Sequence, residues 1–114
     1  MDRLLMYMDN HKHFDVAKVK KTFRSIPEVI DIQEADFIGA GVECNCLGET
    51  HARLSSEGEY LAILGEESRA LHFAMEVQEF YGGRLHLTDH EGHFDVVLDG
   101  HQKFSELASA LHAS

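Results

Sequence analysis

The chain has 114 residues, enough for one domain and too few for two, so we expect a single domain over residues 1–114. Hydrophobic residues make up 44% of the sequence, and no run of about 18 consecutive apolar residues occurs. The composition therefore excludes an intrinsically disordered chain and a transmembrane helix.

The formal net charge is −10, and it is unevenly distributed along the chain. Residues 1–24 contain six basic and three acidic side chains, whereas residues 25–114 contain four basic and seventeen acidic ones. Affinity for nucleic acid depends on cationic groups that displace counterions from phosphates. The acidic body of the chain, residues 25–114, therefore disfavours DNA, RNA and an anionic membrane surface as partners, while its charge is compatible with a protein partner.

The chain begins with a predicted strand and a predicted helix. Residues 3–8 show an apolar alternation between charged flanks, which is typical of a strand. Asp15 is placed to cap a helix that extends to about Ser25, with apolar residues at helical spacing. Pro27 follows, and the residue before a proline disfavours helical geometry, so the helix is expected to end there.

The middle of the chain is rich in strand signals. Residues 28–33 predict a short strand and residues 37–46 a longer one, and the pattern leaves open whether residues 28–46 form one strand or two. Residues 50–56 and 60–64 predict a hairpin around a glycine-containing turn.

The clearest predicted element is a helix over residues 66–81, which has a wide apolar stripe and carboxylates in its first turn. Gly82 follows it as a C-cap. Residues 84–88 and 94–98 then predict a second hairpin, and residues 102–112 a short final helix.

Helices that each follow one strand and precede another predict crossovers onto one sheet. We therefore predict an α+β two-layer sandwich of ferredoxin-like character. It has a mixed, mostly antiparallel sheet of five to six strands, two main helices on one face and a short C-terminal helix. The residues expected in its core are Leu5, Val19, Phe23, Leu71, Ala74, Val77, Leu85, Val97 and Leu107.

Histidine is unusually frequent, with nine copies in the chain. The imidazole ring is the commonest neutral metal ligand, and a predicted hairpin brings His86, His90 and His93 into one stretch. These residues are candidate ligands for zinc or another transition metal. Their spacing matches no structural zinc pattern, however, and solvated turn residues explain the same stretch.

The two cysteines form the second candidate metal site. Cys44 and Cys46 project from the same face of a predicted strand, where they can share a soft metal, with His51 as a third ligand. Two small buried thiols in the core are the favoured alternative. Residues at this spacing rarely form a disulfide, so we expect free thiols, a reducing compartment and a cytoplasmic location.

No catalytic motif is present in the sequence. Gly39 and Gly41 lack the third glycine and the following helix of a dinucleotide-binding loop, and no P-loop lysine or serine nucleophile elbow occurs. We therefore assign no catalytic residue and no cofactor. Catalysis stays open, because groups that only folding brings together leave no trace in the sequence.

In its size, its acidity and its lack of catalytic motifs, the chain is similar in kind to small bacterial immunity proteins, which neutralise toxins by binding. This resemblance involves no shared motif and assigns no residue a role. The leading hypothesis is a cytoplasmic protein-binding module without catalytic activity. The alternative is a metal-binding or small-ligand-binding protein that uses His86, His90, His93, Cys44 or Cys46. A small enzyme comes third.

Self-association is a further expectation from the sequence. The apolar strand segment at residues 4–8 has no internal charge or proline, so it must be central in the sheet, covered, or paired with another chain. The basic first helix of one copy can also contact the acidic body of a second copy. We therefore expect a homodimer that weakens as the salt concentration increases.

Overall fold

The computed structural model describes residues 2–34, 42–55, 57–89, 94–100 and 102–113. Within these residues the chain forms seven strands and three α-helices. In chain order the elements are β1 (Asp2–Met8), a 3-10 turn (Asp9–His11), α1 (Val16–Ser25), β2 (Val29–Glu34), β3 (Val42–Cys46), β4 (Thr50–Leu54), β5 (Tyr60–Gly65), α2 (Glu67–Tyr81), β6 (Leu85–Asp89), β7 (Asp95–Leu98) and α3 (Phe104–Ala113). No helix in this described part of the chain combines the length and the apolar character needed to cross a bilayer.

The strands form one sheet in the order β2-β3-β4-β5-β1-β6-β7, in which every pair of neighbours is antiparallel. Helix α2 connects β5 to β6, which run in the same direction on either side of β1. Helix α1 likewise connects β1 to β2, four positions away in the sheet. The crossovers therefore exist, but the strands that they join are not neighbours, because other strands lie between them.

The predicted number of strands was wrong, and so was the mixed character of the sheet. The sheet has seven strands among the described residues, because residues 28–46 contain two separate strands, β2 and β3. Every pair of neighbouring strands in the sheet is antiparallel, so only the general α+β class of the prediction is confirmed. The first part of the predicted strand at 37–46, including the Gly39–Gly41 segment, lies outside the described residues.

Local capping signals set the helix boundaries. The carboxylate of Asp15 accepts a hydrogen bond from the backbone N–H of Lys18 at 3.2 Å, which caps α1. Glu66 accepts a bond from the N–H of Ser68 at 3.2 Å and caps α2. Gly82 ends α2 with φ +85°, a conformation that glycine adopts without strain.

The core lies between the helices and one face of the sheet. Helices α1 and α2 contact each other and pack on the same face, where the rings of Phe23 and Phe73 lie 6.1 Å apart. Seven of the nine residues expected in the core are buried. Leu5 and Val97 are only partly buried, because their strands turn the adjacent residues, Leu4 and Leu98, toward the helices instead.

Strand β1 is central in the sheet. It is hydrogen-bonded to β5 on one side and to β6 on the other, so its apolar residues need no second chain to protect an edge. The expected homodimer is therefore supported only by the charge asymmetry and stays a prediction.

We expect this dimer to dissociate as salt rises from about 0.01 M to about 0.1 M, because the screening length falls from about 30 Å to about 10 Å. Sedimentation velocity at micromolar protein concentration measures it directly. A monomer at every salt concentration, or a dimer that salt strengthens, would contradict charge-driven association.

Candidate metal centre

A cavity of about 330 Å³ lies beside α2, between that helix, the turn before β2, the end of β3 and the start of α3. Its polar wall contains Glu28, Thr50, Arg69, His72 and Glu76. Three of these residues come from one face of α2, since positions 69, 72 and 76 are three and four residues apart. The other two are supplied by the turn before β2 and by the start of β4.

Three side chains at this wall converge. His72 and Glu76 are one helical turn apart, and His72 Nε2 lies 2.9 Å from Glu76 Oε1. Glu28 approaches from the turn before β2. One potential ligand atom from each of the three residues lies within 4.8 Å of the other two. The site is therefore a compact group of two carboxylates and one imidazole.

The carboxylates of Glu28 and Glu76 lie close enough to repel each other when both are ionised. The side chain of Glu76 is only 14% exposed. Burial raises the pKa of Glu76 to about 7, and a hydrogen bond with Glu28 and the negative charges of Glu28 and Glu79 act in the same direction. Glu76 therefore keeps its proton up to near neutral pH in the absence of another cation.

Two buried oxygens at the same wall have no hydrogen-bond partner among the described residues: Glu28 Oε2 and Thr50 Oγ1. Thr50 as a whole is 3% exposed. Buried polar atoms in folded proteins nearly always have a partner, because an unpaired one costs about 1–3 kcal/mol. These two oxygens therefore mark the cavity wall as a place suited to a polar ligand.

The rim of the cavity is apolar and exposed. Leu47 is 58% exposed and Phe104 is 37% exposed. The ring of Phe104 meets that of His72 edge to face, with the ring centroids 6.0 Å apart. The start of α3 thus forms one side of the cavity opening.

Arg69 is held against the turn that precedes β4. A Cβ atom at Gly48 would lie 2.3 Å from Nη1 of Arg69, so the guanidinium packs directly against the backbone of Gly48. Gly48 also has φ +78°, which glycine tolerates best. The Arg69 side chain therefore lies between this turn and the cavity wall.

Of the two predicted cysteine ligands, Cys46 lines the cavity and Cys44 lies deeper in the core. Both thiols are free and buried on the face that packs against the helices. A hydrogen bond from the Cys44 thiol lowers the pKa of Cys46, with burial and the charges of Glu28 and Glu76 acting in the opposite direction. Cys46 is thus the one predicted site residue that reaches this cavity among those described.

The structure does not bring His51 to the two thiols. His51 is paired with Asn45 across strands β3 and β4, so it lies on the opposite face of the sheet. There its Nδ1 is hydrogen-bonded to Asn45 Oδ1 at 2.9 Å, and its Nε2 lies 3.3 Å from Glu43.

Of the three predicted histidine ligands, His86 is described, and His90 and His93 lie outside the described residues. Nε2 of His86 is in close contact with a carboxylate oxygen of Asp9, and its ring stacks on Tyr7 at 4.7 Å. The hydrogen bond from His86 lowers the pKa of Asp9. This imidazole nitrogen is therefore engaged in a contact between β6 and the turn after β1.

Sequence reasoning missed the group formed by Glu28, His72 and Glu76. One signal was available, since His72 and Glu76 stand at i and i+4 on the clearest predicted helix, a spacing that places two ligands together. Glu28 lies far away in sequence, and only the tertiary fold brings it near.

Comparison of the chain with protein-family models, with curated proteins and with solved structures finds no match. The geometry of the cavity is therefore the basis for assigning a function.

Proposed function

We propose that this protein binds a divalent transition-metal ion, with zinc as the best match, through Glu28, His72 and Glu76. The observation that supports the proposal is the convergence of the three ligand groups within 4.8 Å of one another at a cavity wall. Zinc takes imidazole nitrogen and carboxylate oxygen at about 2.0–2.2 Å, so small side-chain movements bring these atoms to bonding distance.

The ligand set favours a transition metal over magnesium or calcium. Mg²⁺ and Ca²⁺ prefer oxygen ligands alone, whereas imidazole is a ligand for zinc, copper, iron and nickel. A divalent cation also offsets the repulsion between Glu28 and Glu76, and it gives the buried Glu28 Oε2 a partner.

The experiment is a zinc titration of metal-stripped protein by calorimetry, with Co²⁺ and Mg²⁺ as comparison ions. We expect zinc and cobalt to bind and to raise the melting temperature, because a ligand of the folded state stabilises it, and we expect no magnesium binding. Glu76→Gln and His72→Gln should each weaken zinc binding at least about tenfold, since each removes one direct ligand.

His51→Gln is a matched control, because it alters a second His–Glu pair, 3.3 Å apart, on the opposite face of the sheet. It should leave the zinc affinity unchanged. His86→Gln and Cys44→Ser test the sites expected from the sequence. A protein that binds no zinc contradicts the proposal, as does one whose affinity depends on His86 or Cys44 rather than on Glu76.

We also propose a cytoplasmic location, which two free, buried thiols support, since reducing compartments keep cysteines in that state. Protein binding through the acidic body remains a second proposal. The charge of −10 supports it, and it is compatible with a bound metal ion.

A further inference from the structure

We infer that the metal ion keeps one coordination position open toward the cavity and that the cavity binds a small organic carboxylate with a short apolar chain. The carboxylate group would lie between the metal ion and Arg69. This inference rests on the proposed metal site and specifies the ligand class that the site takes.

The open position follows from the number and placement of the ligands. Structural zinc sites use four protein ligands, whereas sites with three protein ligands leave the fourth position to water or a bound molecule. Glu28, His72 and Glu76 supply three, all from the wall of one cavity. The thiol of Cys46 lies at the same wall but outside this close group. The remaining position therefore faces the cavity.

The charge of the loaded site favours an anion. Two carboxylates balance a divalent ion, and Arg69 then adds a positive charge at the same wall, part of which the nearby Glu66 carboxylate offsets. Within the described residues, no carboxylate lies within 4 Å of the Arg69 guanidinium. Arg69 precedes His72 by three residues, so the two side chains share one face of α2 and both line this wall. The planar guanidinium also matches a carboxylate in geometry.

Thr50 adds a hydroxyl donor to the same wall. Thr50 lines the cavity, and its Oγ1, which is buried toward Gly65, has no hydrogen-bond partner among the described residues. If the Thr50 side chain turns toward the cavity, a carboxylate oxygen there would accept a bond from the hydroxyl and remove the cost of leaving it unpaired. This observation is independent of the metal ligands, and it also indicates a polar ligand.

The rest of the cavity is suited to a short hydrocarbon chain. Leu47 and Phe104 form an exposed apolar rim, and Phe73, which is 4% exposed, forms part of the wall. The volume of about 330 Å³ equals that of about eleven water molecules at about 30 Å³ each. A monocarboxylic acid of about six carbons fits this volume with its chain against the rim.

The test uses cobalt-loaded full-length protein and hexanoate as the probe, followed by the visible spectrum of Co²⁺ and by calorimetry. Hexanoate is expected to change the cobalt spectrum and to bind at least about tenfold more tightly than acetate, because only hexanoate fills the apolar part. Hexylamine, which has the same chain and the opposite charge, is expected not to bind. Arg69→Gln should weaken hexanoate binding at least about tenfold without weakening cobalt binding, because the guanidinium repels the metal ion and is not one of its ligands.

Arg53→Gln is the matched control, since Arg53 is an exposed arginine of β4 that does not line the cavity. Cobalt binding without any response to hexanoate would overturn this inference and leave the metal site standing. Hexanoate binding that is the same in Arg69→Gln, or the same without metal, would also overturn it. Absence of cobalt binding would overturn both proposals.

Discussion

Replacement of Leu71 with alanine is expected to lower the free energy of unfolding by about 2–5 kcal/mol. Leu71 is 0% exposed and belongs to the core cluster where α2 packs against the sheet. The change removes apolar contacts and leaves a cavity that close-packed neighbours fill only in part. Because a domain of this size is stable by about 5–15 kcal/mol, a substantial part of its total stability depends on this side chain.

Urea unfolding followed by circular dichroism measures this loss. Phe80→Ala provides a matched control on the same helix, since Phe80 is 45% exposed, and it should cost less than about 1 kcal/mol. A loss below about 1 kcal/mol for Leu71→Ala would show that α2 does not pack as described.

The metal-free protein is expected to become less stable as the pH rises from about 5 to about 8. Burial and the neighbouring Glu28 carboxyl raise the pKa of Glu76 to about 7 in the folded state, above its ordinary value of 4.5. Between these values the folded state binds a proton that the unfolded state has released, so this contribution to stability is lost as the pH rises through 7. At about 1.4 kcal/mol per pKa unit, the loss is at most on the order of 3 kcal/mol.

The groups that act on Glu76 come from three elements: Glu28 before β2, Cys46 on β3, and His72 and Glu79 on α2. Urea unfolding in the presence of a chelator at several pH values measures the effect. Glu76→Gln removes this titration and should flatten the pH dependence between pH 5 and 8 relative to the wild type. If the free energy of unfolding falls equally with pH in the wild type and in Glu76→Gln, other groups, such as the histidines, cause the loss of stability.

The sequence predicts the helices well because their signals are local. The cap at Asp15 and the stop at Gly82 are read directly from single residues. The face of a strand is harder to assign where apolar residues are consecutive. In β1, where Leu4 and Leu5 are adjacent, a shift of one residue exchanges the buried and the exposed sets, which is why Leu5 was wrongly placed in the core.

The candidate site could be predicted only in part. The spacing of His72 and Glu76 on one helix face can be read from the sequence, but their partner Glu28 comes from a turn that local patterns do not place in space. The histidine-rich stretch attracted attention because of its composition, yet His86 is engaged with Asp9. Composition shows which ligands are available, and tertiary structure decides which of them meet.

The central position of β1 has a consequence for how the chain folds. Strands β2 to β5 follow one another and pair in sequence order, so they can form early through short-range contacts. By contrast, Leu4 pairs with Ile63 and Met6 pairs with Leu87, which lie 59 and 81 residues further along the chain. During synthesis the first strand therefore emerges long before its partners, and its apolar residues stay exposed until both have left the ribosome. Docking of β1 should be a late, slow step, and aggregation of nascent chains should begin at this strand.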